Sequence, residues 1–431
     1  VAGVVLDSRS VEKNYLFIAT VGERVDGHSF IDNVFDQGAL AVVCEKAPLA
    51  TKGPYILVEN SFTALADIAR WYRSQLSIKV VGITGSVGKT STKEFISSVL
   101  ATKYKVLKTE GNYNNEVGLP LTILKLSTEH EVAVLEMGIS DFGEMHRLSS
   151  IAKPDICVIT NIGQCHLENL KSRQGVLQAK SEIFDYMSDE GRVVINGDDD
   201  MLATIEGMKG YKPIRFGMNT DQTQALQDVF VTNVVPNGLF GSSCDIHVSN
   251  QILHADIPLP GEHMILNAMA AVSVGTVLGL TPKELLTGIS TVKPLGGRSN
   301  ILRQEKMTII DDCYNANPVS MKAAIDLLNM ADTRKVAILG DMFELGTNEK
   351  ALHKDVGIYA AKSRPEVLVC VGRLSSNMYD GAAETGHPNL FYYETREELI
   401  KALPTILKDN DTILVKASHG MGFENVVKAL Q

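Results

Sequence analysis

The sequence predicts an α/β protein of three domains with a parallel sheet in the central one. The chain has 431 residues, and a domain usually takes about 150 residues. Short apolar runs alternate with helical patterns along most of the chain, as in sheets that are buried on both faces. A stretch rich in Pro and Gly, 292–300, separates two such series. We therefore expect domains at residues 1–78, 79–297 and 298–431.

Composition excludes several classes of protein. Hydrophobic residues make up 45% and charged residues 21%, which is typical of globular proteins and not of disordered chains. Lys and Arg total 41 against 51 Asp and Glu, a net charge of −10 without a basic stripe, so nucleic acid is not expected as a partner. No apolar run approaches the roughly 20 residues of a membrane span. We expect a cytoplasmic monomer.

The first domain is predicted to be a small α/β unit. Apolar runs at 16–20, 40–45 and 55–60 have the length of strands, with helical patterns between and after them. The six cysteines along the whole chain form no C-x-x-C pair and have no zinc-site spacing to histidine. Reduced, buried thiols are therefore expected.

The central domain is predicted around a parallel sheet that resembles those of P-loop ATPases. Its strands are short continuous apolar runs at 79–84, 132–137, 156–160 and 192–196. A later stretch, 229–248, alternates apolar and polar residues on both sides of an Asn-Gly pair, which predicts a β-hairpin insertion.

The third domain restarts the alternation and is predicted to be Rossmann-like. Its strands are expected at 307–312, 335–341, 367–372 and 412–418. Polar loops that contain Gly or Asn follow three of these strands. Such loops meet at the carboxyl edge of a parallel sheet, and together they predict a cleft.

A glycine loop, GSVGKT, joins the first central strand to a helix. Gly85 and Gly88 allow the backbone to approach phosphates, with Ser86 between them, while Lys89 can reach the β and γ oxygens and Thr90 can ligate Mg²⁺. The loop is shorter than the full G-x-x-x-x-G-K-[ST] pattern because position 83 is not glycine. It predicts nucleoside triphosphate binding.

Polar residues at two neighbouring strand ends predict a magnesium site. Glu136 ends an otherwise apolar strand at the ligand-binding edge of the sheet. His166 follows the next strand, and a lone histidine gains weight only from such neighbours. Lys180 lies in an amphipathic helical pattern, which by itself predicts a solvated lysine.

At these residues the chain resembles the Mur ligase family of peptidoglycan synthesis, whose shortened loop reads T-G-[ST]-x-G-K-[ST]. The resemblance runs from about Asp7 almost to the C-terminus. The loops DDCYNANPVSM and GDMFELG resemble the member that adds D-alanyl-D-alanine to UDP-N-acetylmuramoyl-tripeptide. The resemblance implies an ADP-forming amide ligase that uses ATP and Mg²⁺ and acts through an acyl phosphate. It admits lysine or diaminopimelate as the third residue of the peptide.

The resemblance also implies roles for single residues. The groups that bind ATP are Gly85, Ser86, Gly88, Lys89, Thr90, Asn267 for adenine, Arg298 near the phosphates and Asp312 near the ribose. The ligands of two Mg²⁺ ions are Thr90, Glu136, His166 and Lys180. Lys180 matches the lysine that the family carbamylates, which replaces the interpretation as a solvated lysine; with Lys89 and His166 it forms the catalytic set.

Substrate contacts are implied in all three domains. The UDP end matches Ser8 and Arg9 together with the stretch 22–31. The muramoyl substrate and the γ-phosphate match Asn112, Asn114 and Asn115. The third domain contributes Tyr314, Asn315 and Asn317. The sequence does not identify the base that deprotonates the incoming amine; His353 and Glu344 are candidates.

Three departures from the family pattern stand out. Met264 replaces a frequent Asn, and His419 replaces a frequent Arg. The chain also begins close to its Asp-Ser-Arg motif, so we expect a short leading segment to be absent.

Two other functions are compatible with the motifs. One is another Mur or folylpolyglutamate synthase-type ligase, and the other is a P-loop ATPase switch that ligates nothing.

Overall fold

A computed structural model describes residues 1–22, 25–48, 52–207, 210, 212–218 and 227–431. The chain folds around three separate sheets, as the three-domain α/β prediction expects. None of the helices within these ranges combines the length and apolar character needed to cross a bilayer.

The first sheet has four parallel strands in the order β1-β2-β3-β4. The strands are β1 Gly3–Val5, β2 Tyr15–Ile18, β3 Ala41–Cys44 and β4 Tyr55–Leu57, and the helices are α1 Ile31–Asp36 and α2 Ser61–Ser74. Helix α2 packs on two cores. Its Leu65 lies against Ile18 and Val43 of the first sheet, whereas its Ala69 lies against Val80 of the second.

The second sheet has nine strands in the order β13-β12-β11-β10-β9-β8-β5-β7-β6. The strands are β5 Lys79–Thr84, β6 Val106–Lys108, β7 Val132–Glu136, β8 Ile156–Ile159, β9 Arg192–Asn196, β10 Ile214–Gly217, β11 Val229–Pro236, β12 Ser242–Val248 and β13 Gln251–Ile257. The sheet is parallel from β6 to β11, while β12 and β13 are antiparallel. Strand β5 therefore lies between β7 and β8, and the carboxyl ends of all three meet at one edge.

Helices cover both faces of this sheet, which explains the continuous apolar strands. They are α3 Lys89–Leu100, α4 Gly118–Ile123, α5 Glu144–Ala152, α6 Leu167–Leu170, α7 Arg173–Ser181, α8 Glu262–Val277 and α9 Pro282–Ser290. One core contains α3, α8 and α9, and the other contains α4, α5 and α7.

The third sheet has six strands in the order β14-β15-β19-β16-β17-β18. The strands are β14 Asn300–Arg303, β15 Met307–Asp311, β16 Lys335–Gly340, β17 Val367–Val371, β18 Leu390–Tyr393 and β19 Asp411–Lys416, and the helices are α10 Pro318–Asn329, α11 Glu349–Lys362, α12 Ser375–Glu384, α13 Arg396–Ile406 and α14 Glu424–Leu430. Only β14 is antiparallel. This is the alternating α/β domain that the sequence predicts.

The predicted hairpin is present, with a longer connection than a two-residue turn. Strands β11 and β12 pair antiparallel, and the link between them contains Gly238 and Gly241 with φ of 58° and 109°. The sequence did not predict β13, which follows a second turn at Ser249 and Asn250. All six cysteines lie within the described ranges, are buried and form no disulfide.

Candidate active site

A cavity of about 570 Å³ lies between the central and C-terminal domains. The phosphate loop and the end of β7 line one wall, and the loop after β15 and the end of β19 line the other. Twelve of the residues singled out by sequence line it: Ser86, Gly88, Lys89, Thr90, Asn114, Glu136, Asn267, Arg298, Asp312, Tyr314, Asn315 and Asn317. Of the three strand-end loops that predict a cleft, the loop after β15 lines this cavity and the last contributes Lys416 at its start, whereas residues 340–346 do not line it.

The glycine loop has the backbone geometry that binds phosphate. Gly85 and Gly88 have φ of 150° and 83°, and a Cβ at Gly85 would collide with the hydroxyl of Thr160. Helix α3 begins at Lys89 without a side-chain cap, so its first N–H groups are available to an anion. The Lys89 amine donates to the Gly85 carbonyl at 2.8 Å.

The loop after β8 holds the glycine loop in place. Asn161 accepts hydrogen bonds from the N–H groups of Ser86 and Val87, at 3.0 and 2.9 Å. The Thr160 hydroxyl donates to the Val87 carbonyl at 2.6 Å. Thr160 and Asn161 were not among the predicted site residues. They follow an apolar strand and come shortly before His166 in the sequence, and this position could have identified them.

Glu136 is held from two sides at the floor of the cleft. It is 2% exposed. One carboxylate oxygen accepts from the Thr90 hydroxyl and the other from the Asn114 amide, both at 2.8 Å. The hydroxyl and the carboxylate are hard oxygen donors, and Mg²⁺ in nucleotide sites takes one or two such groups besides phosphates and water. The pair therefore fits Mg²⁺, although the described residues contain no cluster of three or more His, Cys, Asp or Glu side chains suited to a metal ion.

His166 contacts the C-terminal domain. Its Nδ1 lies 2.9 Å from a carboxylate oxygen of Glu344, and this hydrogen bond lowers the pKa of Glu344. Both residues have left-handed backbones, with φ of 50° and 62°. That conformation costs a non-glycine residue roughly 1–2 kcal/mol, whereas an exposed ion pair stabilises a protein by about 0–1 kcal/mol.

Lys180 lies in α7 and is 1% exposed, so the pattern-based expectation of a solvated lysine is wrong. A lysine at the end of an amphipathic pattern can face either way, and here packing turns it inwards. Burial lowers the pKa of its amine to about 8, Cys165 opposes that shift, and the charge of Lys89 adds to it. No hydrogen bond or ion pair of the amine is found in the described part of the chain.

Asn267 lies beside the phosphate loop. Its amide oxygen accepts from the Thr92 hydroxyl at 2.8 Å, and its amide nitrogen lies 3.5 Å from the sulfur of Met264. The same oxygen would lie 3.5 Å from a Cβ at Gly88. Met264, which departs from the family pattern, thus contacts the asparagine that is retained. Adenine binding by Asn267 stays a prediction.

An aromatic stack forms part of the opposite wall. The guanidinium of Arg298 lies 3.9 Å from the ring centroid of Tyr314, within the range of a cation–π interaction. The ring of His419 lies 5.4 Å from that of Tyr314. The second departure from the family pattern therefore packs against a predicted substrate residue.

A buried ion pair lies behind this stack. The amine of Lys416 donates to the carboxylate of Asp312 at 2.7 Å and to the Asn315 carbonyl at 2.9 Å. The other carboxylate oxygen of Asp312 accepts from the Ser299 N–H at 2.9 Å. Lys416 was not singled out by sequence, because a lysine that ends a strand is usually solvated. The cleft also contains His263, whose pKa is lowered by burial.

Several predicted substrate residues have local structural contacts. Asn317 caps α10 by accepting from the Ser320 N–H, and Asn115 accepts from the Gly118 N–H at the start of α4. Asn112 is exposed in the same loop as Asn115. Substrate contacts by these three residues stay predictions.

Several predicted residues do not line the cleft: Ser8, Arg9, the described part of the stretch 22–31, Gly85, Asn112, Asn115, His166 and Lys180. Ser8 and Arg9 lie in the first domain, where the exposed Arg9 pairs with Asp7 at 2.7 Å. Of the predicted UDP-binding stretch 22–31, positions 23 and 24 fall outside the described residues.

His353 is not placed to act as a base. It is fully buried, its Nε2 accepts from the Met342 N–H at 2.9 Å and its Nδ1 donates to the Glu349 carbonyl at 2.7 Å. Burial lowers its pKa. Both ring nitrogens are thus occupied within the C-terminal domain. Glu344 is weakened as a base because its pKa is lowered.

Family models match along most of the chain. Residues 1–73 match the model "Mur ligase family, catalytic domain", residues 83–275 the "Mur ligase middle domain", and residues 297–419 the "Mur ligase, glutamate ligase domain". The predicted boundaries after residues 78 and 297 stay predictions.

Full-length relatives are similar in sequence and in structure. The UDP-N-acetylmuramoyl-tripeptide–D-alanyl-D-alanine ligase of Bacillus subtilis is 37% identical, over 99% of this chain and 93% of its own length. A crystal structure of MurF from Acinetobacter baumannii, 32% identical, has a TM-score of 0.91 over 99% of this chain and 92% of that one. MurF ligase from Thermotoga maritima in complex with ADP, 29% identical, has a TM-score of 0.87 over 99% and 96%.

Proposed function

This chain belongs to the Mur ligase family, and we propose that it joins D-alanyl-D-alanine to UDP-N-acetylmuramoyl-tripeptide at the expense of ATP. It is an ADP-forming peptide ligase that acts in the synthesis of peptidoglycan precursors. The observation that carries the proposal is the cleft itself, in which a phosphate loop faces the polar loop after β15 and Lys416 of a second domain. We further propose that it works as a monomer in the cytoplasm, where ATP is available.

The first step activates a carboxylate. The terminal carboxylate of the tripeptide attacks the γ-phosphorus of ATP, the bond to the β–γ bridging oxygen breaks, and an acyl phosphate and ADP result. Charge crowding is the main barrier. The Lys89 amine and the first N–H groups of α3 lie where they can offset that charge. The Lys89 ammonium donates one hydrogen bond to the Gly85 carbonyl and has two further N–H donors for the phosphates.

Magnesium is proposed to be held by residues of the central domain. Thr90 and Glu136 would hold one ion, and His166 with carbamylated Lys180 a second. The ions would supply charge neutralisation at the phosphates. Lys180 suits carbamylation because its amine is buried with no carboxylate partner among the described residues and its pKa is lowered to about 8, so a larger fraction than in an exposed lysine is neutral and able to attack CO₂.

The second step forms the amide. The neutral amine of D-alanyl-D-alanine attacks the acyl carbon, a tetrahedral intermediate forms, and inorganic phosphate leaves with the electrons of the C–O bond. One proton leaves the nitrogen on the way. Arg298 and Tyr314 lie across the cleft from the phosphate loop, and we propose that they contact the substrates. Closure of the two walls would exclude water from the acyl phosphate.

Phosphate release tests the proposal. Mg²⁺ and ATP are supplied with UDP-muramoyl tripeptide and D-alanyl-D-alanine, separately and together, and the product is weighed by mass spectrometry. Release that needs both substrates, with a product heavier by the dipeptide less one water, is expected. Lys89→Met should abolish it, whereas Lys105→Met, an exposed lysine of the same domain, should not.

Two results would change the assignment. Phosphate release that ignores both substrates would indicate an ATPase switch. Release with other pairs of carboxylate and amine would keep the ligase chemistry and change the substrate.

A further inference from the structure

Within the described ranges of the chain, the His166–Glu344 contact is the only hydrogen bond or ion pair that joins a predicted magnesium ligand to the C-terminal domain. His166 follows β8 of the central domain, and Glu344 follows β16 of the C-terminal domain. Because their side chains are 25% and 63% exposed, water screens the pair, and it adds little to stability. The left-handed conformations of both residues destabilise the folded state by more than such a pair stabilises it. Backbone strain of this kind is typical of functional positions.

Glu344 is presented by a rigid loop. The N–H groups of the two preceding residues are bonded within the C-terminal domain, that of Met342 to His353 and that of Phe343 to Ser418, both at 2.9 Å. Met342 and Leu345 are buried on either side. The buried His353 thus anchors the loop that carries Glu344.

The same loop approaches the short helix that begins after His166. A Cβ at Gly346 would lie 3.4 Å from the backbone nitrogen of Glu168, so the two loops are close to contact. His166 is also tied to the phosphate loop through its neighbour, since the Cys165 thiol lies 3.2 Å from the Ser86 hydroxyl. A movement of the C-terminal domain would therefore change the environment of His166 directly.

We propose that Glu344 is a positioning residue that fixes the ring of His166 when the two domains lie together. A carboxylate at Nδ1 favours the tautomer with hydrogen on Nδ1, which leaves the Nε2 lone pair for a cation. Domain closure would then assemble the magnesium site. The inference rests on the proposed function, in which His166 is a magnesium ligand.

Three variants test this role. Glu344→Ala removes the acceptor, and Glu344→Gln keeps an amide oxygen that can still accept from Nδ1–H. Neither substitution relieves the left-handed backbone conformation at position 344, because Ala and Gln, like Glu, are not glycine. Glu305→Ala is the matched control, since Glu305 is exposed in the turn between β14 and β15.

The first measurement is the tautomer of His166, read from the ¹⁵N shifts of its ring in the intact protein without metal, with His166→Gln to assign the signals. We expect hydrogen on Nδ1 in the wild type, in Glu344→Gln and in Glu305→Ala, and a shift towards Nε2–H in Glu344→Ala. A rigid structural role for Glu344 would not move this signal.

The second measurement is the Mg²⁺ concentration at which ADP binding is half-maximal, by calorimetry. Loss of a group that orients a metal ligand typically costs 10-fold or more in metal affinity, so Glu344→Ala should raise this concentration about 10-fold. Glu344→Gln should restore most of the affinity, and Glu305→Ala should match the wild type.

The inference and the proposed function can fail separately. If wild-type protein adds the dipeptide but Glu344→Ala changes neither the tautomer nor the Mg²⁺ requirement, the positioning role is overturned and the ligase stands. If the wild type adds no dipeptide, the ligase is overturned, and an unchanged tautomer in Glu344→Ala would overturn the positioning role as well.

Discussion

Two buried lysines, one on each side of the cleft, have opposite environments. Lys180 of the central domain is 1% exposed and Lys416 of the C-terminal domain is 2% exposed. The Lys416 amine lies 2.7 Å from the Asp312 carboxylate and also donates to a carbonyl. Among the described residues Lys180 has no such acid, and burial lowers its pKa to about 8. Burial alone therefore does not decide what a lysine does.

The difference separates a chemical role from a structural one. A buried ammonium that is paired with a carboxylate keeps its charge and fixes the groups around it. A buried amine without a counter-charge loses its proton more easily and becomes a nucleophile. We therefore propose a chemical role for Lys180 and a structural role, in the opposite wall, for Lys416.

The largest expected effect is loss of turnover in Lys180→Ala. If carbamylated Lys180 completes a magnesium site, its removal takes away charge stabilisation of several kcal/mol, so phosphate release should fall by at least about 10³-fold. Short carboxylic acids should restore part of the rate. Wild-type protein incubated with ¹³C-bicarbonate should also give a carbamate signal that the variant lacks. Full activity in Lys180→Ala would refute this role.

The next effect concerns the paired lysine. Asp312→Asn leaves the ammonium of Lys416 buried without its partner, while the new amide oxygen can still accept from the Ser299 N–H. Breaking a buried pair from one side typically costs about 3–5 kcal/mol, and chemical denaturation should detect that loss. Adding Lys416→Met to Asp312→Asn should recover a large part of it. Asp332→Asn, an exposed control, should unfold like the wild type, and a single variant as stable as this control would contradict the pairing.

The smallest effect is a pH dependence at Lys180. In the folded protein the pKa of the Lys180 amine is about 8, below the ordinary value of 10.5. Below pH 8 the buried amine is therefore charged, and its charge destabilises the folded state in full. That cost disappears as the pH rises from 8 to 10.5, because the unfolded chain then loses its proton too.

In buffer without metal or CO₂, Lys180→Met should thus be more stable than the wild type by about 3 kcal/mol near pH 7, and the gap should close towards pH 10.5. Denaturant unfolding at several pH values measures it. Lys105→Met, at an exposed position, should not differ from the wild type in this way. A stability difference between Lys180→Met and the wild type that stays constant with pH would mean that the Lys180 amine is not charged in its buried position.

Much of the fold followed from local pattern. The strands β5, β7, β8 and β9 were predicted to within a residue, because strands covered on both faces are continuous apolar runs. The strands that were not predicted are short or lie at or near the sheet edges: β1, β6, β10, β13, β14 and β18. Most of them lack the continuous apolar run of a central strand, whereas β1 and β18 contain only a short one.

The site divides in the same way. The phosphate loop is contiguous, so Gly85 to Thr90 could be identified from sequence alone, and Glu136 from its place at a strand end. Asn161 and Lys416 could not, since each acts on a residue that is distant in sequence. His353 was one of two candidates for the base, and only packing shows that both of its ring nitrogens are occupied.

The sequence by itself determined the three-domain α/β plan, the phosphate loop and the family, since each depends on residues that are neighbours in the chain or on a resemblance along all of it. Only the tertiary structure decided that Lys180 is buried without an acid, that Lys416 pairs with Asp312 and that Glu344 contacts His166. The reason is physical. Charge state and tautomer depend on the few ångströms around an atom, and folding fills that space with residues from other parts of the chain.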